Sequence, residues 1–180
     1  MSYLVILRGP AGVGKTTVGE KLAEVLNGEC IHIDKILDDN GLGYISGEKW
    51  VPEINFLKVN EILEPHINEQ LNKGMVVVVE GNFYHKSQIE DILRKVRHKY
   101  YSFTLKAGLE TCINRDKNRS GIGKERVKAV FKLVSTFDYG IVIDTEDKMP
   151  EHVVKEIISH LPNSNTKKTF EEIRLTKIQK

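Results

Sequence analysis

Short aliphatic runs alternate along this chain with stretches whose apolar residues recur every three or four positions. Residues 3–8 and 75–80 read as strands buried on both faces of a parallel sheet, because a strand covered from both sides shows no polar alternation. Residues 30–34, 100–105 and 140–144 are weaker runs of the same kind and bring the expected strands to five. Between them, Val18, Leu22, Val25 and Leu26 fall on one helical face, as do Val153, Val154, Ile157, Ile158 and Leu161. Residues 53–72 also read as helix, with Pro65 expected to kink or split it, since proline lacks an amide hydrogen and crowds the preceding turn. Alternating strands and helices predict a three-layer α/β fold with right-handed crossovers, its mostly parallel five-stranded sheet flanked by helices.

Composition narrows the class. A chain of 180 residues, 40% hydrophobic, is expected to form one domain with a real core and has no room for the second helical domain of a motor-type ATPase. The body is expected over residues 1–162, with 163–180 a loosely attached basic tail that opens on Asn-Ser-Asn-Thr. The net charge of +2 hides an asymmetry: the tail holds five bases and two acids, which leaves the body at −1. Such a body is not a nucleic-acid binder by charge, although a nucleic-acid partner stays open. Cys30 and Cys112 lie far apart and form no Cys-x-x-Cys pair, which suits a reducing cytoplasm. The first residues carry no basic leader, and no apolar run approaches the ~20 residues that cross a bilayer, so no membrane partner is expected.

Gly9-Pro10-Ala11-Gly12-Val13-Gly14-Lys15-Thr16 fits the phosphate-loop (Walker A) pattern, directly after the first strand and before the first helix. Glycines let the backbone curl so that successive amides face inward, and the helix starting near Lys15 adds the positive end of its dipole. Gly9, Ala11, Gly12, Val13, Gly14, Lys15, Thr16 and Thr17 are therefore candidate binders of a nucleoside triphosphate, expected to be ATP. Lys15 is expected at the outer phosphates and Thr16 at Mg²⁺. A glycine-rich turn that merely joins strand to helix is the bland alternative, but pattern, position and surrounding elements all agree against it. No Asn-Lys-x-Asp base reader of GTPases occurs, and Asp38-Asp39-Asn40-Gly41 reads as a turn.

With an Asp expected to end strand two, an acid ending strand three and paired arginines after strand four, the chain resembles the small P-loop kinases. That group includes the nucleoside monophosphate, shikimate and gluconate kinases, the chloramphenicol phosphotransferase-like proteins and the polynucleotide kinases. The resemblance spans roughly residues 1–160 and implies a P-loop NTPase fold with ATP and Mg²⁺ as cofactors. It implies that Asp34 faces the acceptor hydroxyl as general base; a helix N-cap is the other reading of that residue. It places Glu80 near the metal, although Glu-Gly-Asn-Phe departs from the Asp-Gly-Phe of nucleotide kinases and lacks the following Pro-Arg. A glutamate simply solvated at the sheet's end is the alternative there. Arg115 and Arg119 share a helical face and resemble the lid, about 112–126, the first flanking adenine and the second reaching the phosphates; a solvated face paired with Glu110 and Asp116 competes. Gly121-Ile122-Gly123 would hinge it, with Arg126 a third cation. The resemblance makes Asp144 to Asp147, after the fifth strand, candidate base contacts. Asn82 and His85 are candidate acceptor-pocket residues.

No arginine occurs between Gly9 and Leu93, the span expected to hold the acceptor pocket. Because a guanidinium fork matches phosphate and carboxylate, its absence disfavours anionic acceptors, although Arg8 and the lysines keep one open. Asp38, Asp39, Glu48 and Glu53 around Tyr44 and Trp50 suit a neutral or amine-bearing alcohol instead, with an acidic surface loop the other reading of the same residues. The expected activity is transfer of the γ-phosphoryl of Mg-ATP to a small hydroxyl compound. The alternatives are a kinase of nucleic-acid 5′ ends and a nucleotide-binding regulator or slow ATPase without an acceptor.

Overall fold

The computed structural model describes residues 1–44, 50–118 and 121–162. In chain order it contains β1 (Leu4–Arg8), α1 (Lys15–Val25), β2 (Glu29–His32), α2 (Ile33–Asp39), α3 (Glu53–Asn72), β3 (Val77–Gly81), α4 (Lys86–Val96), β4 (Tyr100–Lys106), α5 (Leu109–Lys117), α6 (Lys124–Val134), β5 (Ile141–Asp144) and α7 (Pro150–Ser159). The five strands form one sheet in the order β2-β3-β1-β4-β5, and every pairing is parallel. Parallel strands need crossovers, and the helices that supply them cover both faces.

β1 shows how the pattern becomes layers. Successive side chains of a strand point to opposite faces, so Val5 and Leu7 join a core with Val18 and Leu22 of α1 and Val154 and Ile157 of α7. Leu4 and Ile6 join the other core, with Phe56 and Ile67 of α3 and Ile89 and Ile92 of α4. Both cores depend on a strand that is apolar from Leu4 to Leu7 and buried over all five residues.

Three expectations change. Pro65 neither splits nor ends α3, which runs unbroken through it. The residue is exposed, so the Glu61 carbonyl that loses its amide partner faces the side where water can replace it. Asp38 and Asp39 close α2 rather than forming a turn; the turn begins only at Asn40 and Gly41, whose φ is 66°. β2 ends at His32, so Asp34 stands in the first turn of α2 instead of at the strand's end. Helices α4 and α6 were not expected, although Ile89, Ile92 and Val96 do recur at helical spacing in α4; α2 was anticipated only as the helix that Asp34 would cap. The tail 163–180 lies outside the described residues.

Candidate active site

The loop from Gly9 to Gly14 leaves the carboxyl end of β1, where open α/β sheets place their ligand crevices. Two of its glycines are required by geometry. A Cβ on Gly12 (φ 81°) would stand 2.1 Å from the Cys112 carbonyl oxygen, and Gly14 caps α1 in the left-handed region at φ 103°. No acid sits in the first turn of α1, so nothing on that turn offsets the positive dipole end that an anion would meet.

Lys15, only 6% exposed, is drawn inward. Its Nζ donates to the Pro10 carbonyl and to Asn82 Oδ1, both at 3.0 Å. Asn82 in turn donates through Nδ2 to Asp34 Oδ2 at 3.3 Å, so a continuous hydrogen-bonded row runs from the P-loop lysine to the proposed base. Asp34 is exposed and is not the N-cap of α2, a position held by His32. A cleft of about 120 Å³ lies against this row, lined by Gly14, Lys15, Thr16, Asp34, Asn82 and, from above, Ile122 among others.

Beside it, Thr16 Oγ1 donates to Glu80 Oε1 at 3.2 Å. His32 Nδ1 approaches the same oxygen at 2.8 Å, while its Nε2 lies 3.7 Å from Glu20 Oε1. Glu80 is therefore not a solvated strand end: it is 5% exposed and held from two sides. His32 is a site residue that the sequence reading missed. Its signal was positional, two residues before Asp34 and facing the neighbouring strand.

A larger cleft of about 230 Å³ opens on the other side of the P-loop, lined by Val13, Thr17, Arg115, Thr145, Lys148 and Val153 among others. Arg115 is fixed there, donating to the carbonyls of Val13 (3.3 Å), Thr145 (2.7 Å) and Glu146 (2.8 Å) and to Thr145 Oγ1 (3.1 Å). Asp144, proposed to touch the base, accepts the Glu146 amide at 2.9 Å and is exposed; its neighbour Thr145 is the one that lines the cleft. Arg119 lies outside the described residues. Asp116 is 2% exposed and accepts the amides of Ile122 (3.3 Å) and Gly123 (3.0 Å), so it anchors the hinge instead of contributing to a solvated face.

On the acceptor side, Arg8 is unavailable to any ligand. It is 1% exposed and donates to the carbonyls of Phe137 (2.6 Å), Val134 (2.8 Å) and Phe83 (3.4 Å), with its guanidinium carbon 4.0 Å from the Phe137 ring centre. Burial brings its pKa down to about 10, against the opposing pull of Asp138. Of the acids expected around Tyr44 and Trp50, Asp38 reaches Gly43, the residue before Tyr44. Asp38 and Asp39 are exposed at the end of α2, Glu53 accepts the Ser87 hydroxyl, and Glu48 lies outside the described residues. His85 is the N-cap of α4 and lines neither cleft. Tyr84, hydrogen-bonded to Asn82, has its hydroxyl pushed up to about 12 by burial and then by the Asp34 charge.

Among curated proteins, a provisionally named adenylate kinase of Pyrococcus furiosus is 28% identical over 177 residues, covering 97% of this chain and 92% of its own. A shikimate kinase of Corynebacterium efficiens is 25% identical, covering 88% and 96%. Among solved structures, a sugar kinase from Janibacter superposes with a TM-score of 0.71 at 14% identity over 88% of this chain and 94% of that one. The Mycobacterium tuberculosis APS kinase, in complex with AMPPNP and APS, gives 0.69 at 12% identity over 88% and 96%. Residues 4–138 match the model of a family described as an AAA domain, and this chain belongs to that family, as a nucleotide-binding P-loop phosphotransferase of the kinase type.

Proposed function

We propose that the protein transfers the γ-phosphoryl group of Mg-ATP to a hydroxyl of a small acceptor held between Asp34 and the lid. The observation that carries this reading is the row Lys15–Asn82–Asp34, which joins the phosphate-binding lysine to an exposed carboxylate across one cleft. A group bound at Lys15 and an alcohol at Asp34 would face each other there. In the transfer, the acceptor oxygen forms a bond to the γ-phosphorus and the bond from that phosphorus to the β,γ-bridging oxygen breaks. ADP leaves with the electron pair, and the hydroxyl proton passes to the Asp34 carboxylate.

Thr16 and Glu80 offer oxygen donors only, which fits Mg²⁺, and His32 holds the carboxylate in place. Bound there, the ion would neutralise charge between the transferred and leaving groups. Thr17, Arg115 and Thr145 would flank the nucleotide in the larger cleft.

The names of the relatives include adenylate and shikimate kinases, and both acceptors are anions. Among the described residues that line the 120 Å³ cleft there is no arginine, and Arg8 is spent on carbonyls. A non-phosphate alcohol is therefore the better fit.

Incubation with Mg-ATP and a metabolite extract, followed by mass spectrometry, should reveal a product heavier by one phosphoryl group. Lys15→Ala should abolish it. Asp34→Asn should lower turnover by about 10²–10⁴-fold while leaving ATP affinity unchanged. Unchanged turnover in Asp34→Asn would point to a regulator or slow ATPase, and product confined to added nucleic-acid 5′ ends would point to a polynucleotide substrate.

A further inference from the structure

Glu146 is half-buried beside the larger cleft but is not part of its lining. Its side chain crosses instead to the start of α5, where the carboxylate accepts the Gly108 amide and the Thr111 hydroxyl. Gly108 is the N-cap of that helix, so the carboxylate meets an amide that the helix itself leaves unpaired, at the positive end of the helix dipole. The Thr111 hydroxyl and then the Gly108 amide hold the carboxyl below the usual carboxylate range, which keeps it an ionised acceptor at neutral pH.

The same residue is held a second time through its main chain. Arg115 follows Gly108 by two helical turns and so lies on the same face of α5, from which it donates to the Thr145 and Glu146 carbonyls. The turn after β5 is thus bolted to one face of α5 at two levels.

The two walls of the larger cleft divide a nucleotide between them. Gly12, Val13 and Thr17 belong to the P-loop and α1, which meet phosphates through main-chain amides and the helix N-terminus. Thr145, Lys148 and Pro150 belong to the turn after β5 and the start of α7. With the phosphates on the first wall, the base falls to the second. The Glu146 carboxylate reaches neither the P-loop nor α1: Val13 is tied to the turn by Arg115 and by the Thr145 hydroxyl, and neither bond passes through that carboxylate.

We propose that Glu146 is a positioning residue for the nucleobase: its carboxylate fixes the turn after β5 against α5, and with it the wall that receives the base, while the phosphates are bound without its help. This rests on the reading that the larger cleft holds the nucleotide. It gives Glu146 a role other than the direct base contact expected of residues 144–147.

The test is titration calorimetry of the full chain with Mg²⁺, comparing ATP with inorganic tripolyphosphate, which carries three linked phosphates and no base. Glu146→Ala should weaken ATP about tenfold and leave tripolyphosphate within about twofold of the wild type. Glu146→Gln, whose single amide oxygen still accepts from one of the two donors, should fall between. Thr111→Ala removes one donor at a helical position that alanine suits, so it carries the test if Glu146→Ala does not fold. It should weaken ATP in the same base-dependent way, and adding it to Glu146→Ala should cost nothing further, because both changes remove one bond. Equal weakening of ATP and tripolyphosphate, or an unmoved ATP affinity, overturns the positioning role and leaves the nucleotide site standing. A wild-type chain that binds tripolyphosphate and gains nothing from the adenosine of ATP overturns the nucleotide reading of the cleft as well.

Discussion

The two sides of the P-loop each depend on one arginine that clasps backbone carbonyls, but the two are sealed differently. On the nucleotide side, Arg115 binds the carbonyls of Val13, Thr145 and Glu146 and still forms part of a cleft wall. On the acceptor side, Arg8 binds those of Phe83, Val134 and Phe137 and is wholly buried, its Nε finding no acceptor among the described residues. Each therefore ties distant segments together, but only Arg115 is placed to do so and also meet a ligand. The nucleotide side is held by a residue that can respond to occupancy. The acceptor side is held by one that cannot, and one of its cleft residues, Asn82, directly precedes the Phe83 that Arg8 anchors.

Removing Arg8 should give the largest effect. Arg8→Met leaves three carbonyls without their donor, and each unmet buried acceptor costs about 1–3 kcal/mol. We expect a loss of about 3 kcal/mol by urea unfolding, or about 10 °C in Tm for a chain of this size. Phe83 directly follows Asn82, and Val134 ends α6, so acceptor KM should rise while ATP affinity of the folded fraction holds. Equal weakening of both ligands would break the proposed separation of the two sides.

Arg115→Met should act in the opposite sense and less strongly. It unties Val13 in the P-loop from the Thr145 turn and removes one wall of the larger cleft. Titration calorimetry is expected to show ATP binding weakened about tenfold, equivalent to about 1.4 kcal/mol. Acceptor binding should be nearly unchanged.

The difference between these arginines was only half legible in the sequence. Arg115 stands four residues before Arg119 on a helix after the fourth strand, and that spacing drew attention to it. Arg8 is the last residue of a strand, and nothing in its spacing says that its side chain turns inward to the carbonyls of Val134 and Phe137, more than 120 residues away. The P-loop was readable because its chemistry is carried by consecutive backbone amides, which need only a local pattern. Glu80 was readable because it ends an aliphatic run, and Asp34 because it follows one, although the strand stops two residues earlier than expected. His32 was missed because it acts through a partner on another element, Glu80.

The smallest expected effect tests how tightly the nucleotide side is packed beneath the P-loop. Cys112 is fully buried on α5, its carbonyl pressed so close to Gly12 that no side chain fits there. Burial pushes its thiol up to about 11 from an ordinary value of 9.0, although Arg115 and Lys15 pull the other way. A raised thiol favours the protonated form in the folded chain, so its contribution to stability is complete below pH 9 and is lost as pH rises towards 11. The useful window is pH 8 to 10, because above about 10 the lowered pKa of Arg8 gives stability that grows with pH and masks the slope. Urea unfolding of the wild type and Cys112→Ala should therefore converge, or cross, by about 1 kcal/mol across that window. A difference between the two that stays constant from pH 8 to 10 would show the thiol ionising freely, and with it a looser floor under the P-loop than Gly12 and Cys112 imply.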